Sequence, residues 1–128
     1  MAYSTILKPT DYFDTKLYVG NGGAAGGTQT ITGVGFQPDW TWIKNRSTQE
    51  HHVLTDADSN GFTVDTSSSD VNADGQNYVG WNWKANGQGS SNTDGSINST
   101  YTSANTTSGF SIVSYTGTNA TATVGHGL

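Results

Sequence analysis

Two strings in the chain have the residue types and spacing of the first half of a calcium loop: Asp56-Ala57-Asp58-Ser59-Asn60-Gly61 and Asp70-Val71-Asn72-Ala73-Asp74-Gly75. Oxygen ligands at alternate positions, followed by a glycine at the sharp turn, could surround a divalent ion. Both strings lack the bidentate Glu that closes such a loop; Ser67 and Trp81 stand in its place. Asp and Asn also cap turns by bonding to their own backbone, and that is the role expected here. His51 and His52 are adjacent, so on a strand they point to opposite faces and cannot hold one ion together. His126 sits in a tight Gly-His-Gly turn. No metal and no cofactor are expected.

Covalent and acid–base chemistry find no better footing. The chain has no Cys, which removes thiolate nucleophiles, thiolate zinc sites and disulfide scaffolds. Gly-x-Ser-x-Gly, the phosphate loop ending in Gly-Lys-Ser/Thr and His-Glu-x-x-His are all missing from the sequence. The glycine-rich run 20–27 lacks the spacing and the following helix of an anion-binding loop, so a flexible hairpin loop is expected. With no acid–base pair to nominate, the expectation is a protein that is not an enzyme.

The tryptophans remain. Trp40 with Trp42, and Trp81 with Trp83, are spaced to place two indoles on one face of a strand. Such a pair could form a stacking platform for a sugar ring, making all four candidates for contact with a host surface glycan. The competing role is core filling in a chain short of Leu and Ile, and this is the expected one, with at most one pair exposed.

These residues must be positioned by short strands. The chain has 128 residues, a formal net charge of −5, 12% charged and 32% hydrophobic residues. Gly, Ser, Thr and Asn fill roughly half of it, a bias toward turns and extended segments. No apolar run approaches the ~20 residues of a membrane helix, and the first nine residues lack both the basic leader and the apolar stretch of a secretory signal. Neither membrane insertion nor export by such a signal is expected. Five scattered Lys and Arg are too few to track phosphates, so no nucleic acid is expected as a partner. Glycine, proline or Asn-Gly and Asp-Gly steps break nearly every segment before a helical period develops. Strands are expected at Phe13–Val19, Thr28–Thr32, 40–44, 51–54, 62–65, 76–84, 97–102, 110–115 and 120–124. Asn60-Gly61, Asp74-Gly75 and Asp94-Gly95 favour the positive φ of tight hairpins. The expected fold is an all-β antiparallel sandwich or jelly roll of eight or nine short strands with long polar loops.

An internal similarity sets the expected organisation. Phe13, Tyr18 and Gly20 correspond to Phe110, Tyr115 and Gly117 at one offset, and after a gap residues 28–36 align with 120–128. This reads as a repeated supersecondary unit. It divides the chain into an arm over residues 1–12, a sandwich over 13–109 and the start of a second copy over 110–128, so that either more protein is expected past Leu128 or another subunit is expected to supply the missing strand. Apolar Tyr3, Ile6, Leu7 and Tyr12 in the arm are candidates for docking onto a partner.

Taken together, several segments resemble a repeat domain of tailed-bacteriophage virion proteins from marine and cyanobacterial phages. They are residues 8–18, Ile31-Thr32-Gly33-Val34-Gly35-Phe36-Gln37-Pro38-Asp39, Trp42-Ile43-Lys44-Asn45-Arg46, Asn60-Gly61-Phe62, Trp81-Asn82-Trp83-Lys84-Ala85 and Gly125-His126-Gly127-Leu128. Between Arg46 and Asn60 this chain is shorter than the family pattern. The resemblance implies a structural, tail-fibre-like protein on the surface of a virion, with other virion proteins of the tail or capsid as partners. It also implies homo-oligomers, trimers being the usual state of fibres. A capsid decoration protein and a glycan-binding receptor module are the alternatives.

Overall fold

Strand pairing in this chain follows side-chain alternation. The computed structural model describes residues 8–23, 27–55, 60–65 and 68–128, and there the chain is all β, with no α-helix among the described residues. After a 3-10 turn at Pro9–Asp11, nine strands follow: β1 (Phe13–Val19), β2 (Thr28–Thr32), β3 (Trp40–Asn45), β4 (Val53–Thr55), β5 (Gly61–Asp65), β6 (Asn77–Trp83), β7 (Ser90–Asn92), β8 (Ser99–Asn105) and β9 (Phe110–Ser114). All ladders between them are antiparallel. They fall into two compact units, Lys8–Trp83 and Lys84–Leu128.

The N-terminal unit is a sandwich of a four-stranded sheet, in the order β1-β6-β3-β4, and a two-stranded ribbon, β2-β5. Ile43 and Tyr78 of the sheet face Ile31, Phe62 and Val64 of the ribbon, with Tyr18, Val53 and Val71 packed around them. Phe62 lies directly over Gly80 at the middle of β6. A Cβ on Gly80 would sit 2.6 Å from the Phe62 ring, so only glycine lets the ring reach the sheet. Tyr18 stacks on Tyr78 at 5.1 Å and meets Phe62 edge-on at 5.8 Å. Both phenols reach polar partners, as buried tyrosines do. Tyr18 Oη donates to Val71 O (2.7 Å) and Tyr78 Oη to Ser69 O (2.9 Å).

The glycine-rich connection after β1 differs from the expected flexible hairpin. β1 and β2 belong to different sheets, so the segment crosses between layers. Residues 20–23 are tied to the turn at 72–76 by Gly20 N–H to Gln76 O, Gly75 N–H to Gly20 O and Gly22 N–H to Asn72 O. Gly20 approaches that turn so closely that a Cβ would lie 2.2 Å from Ala73 O.

The C-terminal unit is the three-stranded sheet β7-β8-β9. β7 lies inside what reads as a polar loop. Ser90-Ser91-Asn92 has no branched or aromatic residue to announce a strand, and β8 alongside supplies its ladder. The reverse holds at 120–124, expected as a strand. Only Val124 bridges, to Ile97, while Ser96 and Thr123 exchange N–H to hydroxyl bonds of 2.9–3.0 Å. The repeat counterparts Phe13–Val19 and Phe110–Ser114 are both edge strands, and β9 pairs with β8.

Candidate functional site

Alternation along β3 and β6 sends Thr41, Ile43, Asn45, Tyr78, Gly80 and Asn82 to the buried face of the sheet. Trp40, Trp42, Trp81 and Trp83 are therefore on the opposite face, away from the core cluster, and all four are half-buried. This corrects the expectation that the indoles fill the core and hold the two sheets together. Phe62, Tyr18 and Tyr78 do that work, while register alone gathers the tryptophans outside.

The register places Trp40 opposite Trp83, which pairs with Phe13, and Trp42 opposite Trp81, which pairs with Thr15. Two rows of rings result. In one, Phe13, Trp83 and Trp40 follow each other at centroid separations of 5.1 Å. In the other, Trp81, Trp42 and His52 follow at 5.3 and 5.2 Å. Interplanar angles of 33–53° make these tilted contacts, an arrangement that ring quadrupoles favour over flat stacking.

The second row is fixed by a hydrogen bond. Trp42 Nε1–H donates to His52 Nδ1 at 2.7 Å. An indole N–H can only donate, so Nδ1 must be the bare nitrogen of a neutral imidazole, and the ring proton lies on Nε2. Leu54, paired with Trp42, ends the row on β4. Around the rings, Phe13 is 38% exposed, Leu17 67%, Val19 53% and Leu54 58%. Among the described side chains on this face only Lys44 and His52 are ionisable, and Lys44 Nζ donates to Glu50 O. Among the described residues the face is aromatic with few ionisable groups, an arrangement that can hold a ligand by ring contact.

Elsewhere the candidate side chains take capping roles or lie outside the described residues. In the 70–75 turn, Asp70 Oδ1 accepts His51 N–H and Asn72 Oδ1 accepts Asn21 N–H, so oxygens that could bind a cation already serve backbone donors. The first two carboxylates of the 56–61 string lie outside the described residues, as do Tyr3, Ile6 and Leu7; Tyr12 is half-buried beside the 3-10 turn. His51 and His52 are both exposed and engage different partners. Among the described residues no group of three or more His, Asp or Glu gathers as a metal site requires. A cleft of about 340 Å³ opens onto the core beside Ile43, Val53, Val64 and Val71, with Asp70 at its rim. Burial pushes the Tyr18 phenol well above the usual tyrosine range, with Tyr78 adding to the effect, and it raises Tyr78 against the lowering influence of the Ala73 N–H bond.

Thr15, His52 and Leu54 join the aromatic face without any mark in the sequence. His52 is ten residues from Trp42, and only the β3–β4 ladder brings them together. The alternation of β1 put Thr15 with Phe13 and Leu17, but its neighbour across the sheet was open.

Fold and site together define a small all-β sandwich module with an aromatic outer sheet face. The chain belongs to the family described as a domain of unknown function, DUF7483, which matches residues 8–58 and 53–128. Comparison with curated proteins and with solved structures gives no match.

Proposed function

We propose that this chain is a non-enzymatic building piece of a tailed-bacteriophage virion, part of a tail fibre or similar appendage. In this role it attaches to other virion proteins and contributes to host adsorption. The observation that carries the binding half of this reading is the position of the four indoles: a chain with few large apolar residues keeps them out of its core and arrays them on the outer face. Sheets with one solvated face ordinarily carry polar residues there, and a contiguous apolar surface marks an interaction site. The virion half rests on the resemblance of the segments quoted above, together with an acidic, Cys-free β module suited to life on a particle surface.

The test is location. Labelling the protein in imaged particles should place it on the tail, in tens of copies. Hundreds of copies spread over the shell would make it a decoration protein, and absence from purified particles would end the virion reading. The glycan-reader alternative is favoured by one feature, the two adjacent indoles of the second row with the His52 imidazole beside Trp42 and the Thr15 hydroxyl across from Trp81.

A further inference from the structure

We infer that the row Thr15, Trp81, Trp42 and His52 is a subsite for a neutral oligosaccharide, one that presents the apolar C–H face of a pyranose to the indoles. The inference rests on reading the outer face as a binding face and names the ligand class for it.

Three features of the row select this ligand. The first is the alternation of polarity across the sheet. Trp81 and Trp42 form an apolar floor two strands wide that Leu54 extends onto β4, the exposed Thr15 hydroxyl stands at one end, and the His52 imidazole sits beside Trp42 just before β4. From β1 to β4 the row spans about 14 Å at normal strand spacing, enough for a short oligosaccharide. A pyranose has the same division, with C–H groups on its faces and hydroxyls around its rim.

The second feature is the direction of the polar groups. Because Trp42 Nε1–H is engaged by His52 Nδ1, the Trp42 indole offers its ring and no donor. The His52 proton then sits on Nε2 of an exposed ring, free to donate to a hydroxyl oxygen. Thr15 can donate or accept at the other end. Ring contacts on both sides of Trp42 and the bond to His52 hold the floor in place before any ligand arrives, so little ordering is left for binding to supply.

The third feature is charge. Among the described residues the face carries no arginine and no carboxylate, its one lysine donates to Glu50 O, and the whole chain is at −5. An acidic polysaccharide would find no cation to pair with and a repulsive field around it. A cationic one would find no acid among the described residues of the face. A neutral sugar meets neither penalty.

The experiment titrates the intact chain with cellohexaose, mannohexaose and maltohexaose as neutral probes and hexagalacturonate as the acidic one, by tryptophan fluorescence and calorimetry. At least one neutral probe should saturate while hexagalacturonate does not. Trp81→Ala should weaken that binding about tenfold, and Thr15→Ala or His52→Ala about threefold each. Trp81→Phe, which keeps a ring in the central strand, should retain most of it and guards against a folding defect. Saturation by none of the neutral probes, tighter binding of hexagalacturonate, or affinity unchanged in Trp81→Ala would each overturn the inference. So would sedimentation showing that the face is covered by a second copy. The particle-labelling experiment fails or succeeds independently, so loss of this subsite and loss of the virion reading are separately visible.

Discussion

The two units of this chain close their interiors with different chemistry. Between Lys8 and Trp83 the core cluster is Ile31, Ile43, Phe62, Val64 and Tyr78, rings and branched aliphatics pressed between two layers, with Val34, Phe36 and Val79 buried as well beside the hydrogen-bonded Thr41, Asn45, Asn72 and Asn82. Between Lys84 and Leu128 the buried residues are Ser99, Thr102 and Ser103, with Ala85 as the buried apolar side chain. There the Ser99 and Thr102 hydroxyls bond each other at 2.8 Å, and Ser99 Oγ and Ser103 Oγ accept the N–H groups of Asn92 and Asn86. Apolar burial stabilises in proportion to area, about 25 cal/mol per Å². A hydrogen bond exchanged with water contributes about 1 kcal/mol net. The first unit thus adds a large apolar core to its buried polar groups, the second has almost none, and the two should respond to different insults.

The largest effect expected is in the first unit. Phe62→Ala removes the ring that spans both layers and should cost about 3–5 kcal/mol, read as a lowered urea midpoint for the N-terminal unit. A variant within 1 kcal/mol of the parent would show that the ring is not the keystone of this core. Next, Gly80→Ala drives a methyl into the Phe62 ring and should cost about 2 kcal/mol by overpacking. Relief of most of that loss in the double variant Gly80→Ala/Phe62→Leu would locate the clash.

For the second unit the sharpest probe is Ser99→Ala, which strands the Asn92 N–H and the Thr102 hydroxyl. The expected cost is about 1–2 kcal/mol, measured by amide exchange of β7 and β8. An unchanged exchange pattern would mean that water replaces the hydroxyl without loss. The smallest effect comes from pH. Tyr18 has a folded pKa raised above its unfolded value, so the folded state holds its proton where the unfolded chain releases it. Its contribution is complete below pH 10 and declines as pH rises beyond, by about 1.4 kcal/mol at one unit above. Tyr18→Phe should flatten the alkaline limb of a melting-temperature profile, and an equally steep limb in the variant would assign the loss elsewhere.

Much of the fold was legible before any coordinates. Alternation at 13–19 and the β-branched run at 28–32 mark β1 and β2 to the residue, because local pattern and ladder agree there. Pro38 before Trp40, a residue without an N–H to donate, correctly precedes β3. β7 was not legible, since Ser90-Ser91-Asn92 carries no preference and is a strand only because β8 lies beside it. The Asp70 turn was half legible: its capping role follows from residue type, whereas its docking against Asn21 joins segments fifty residues apart.

The aromatic face divides the two kinds of knowledge most clearly. Spacing alone put each tryptophan pair on one side of its strand, since side chains alternate with period two. Whether that side met the ribbon or the solvent depended on which of two apolar-looking faces the ribbon covered. Phe62 could approach only where Gly80 left room, and a contact between β5 and β6 has no local signature. Residue order therefore settled what the strands are and which indoles travel together. Only the packing of one layer on another decided that the phenyl and phenol rings go inside and the indoles stay out.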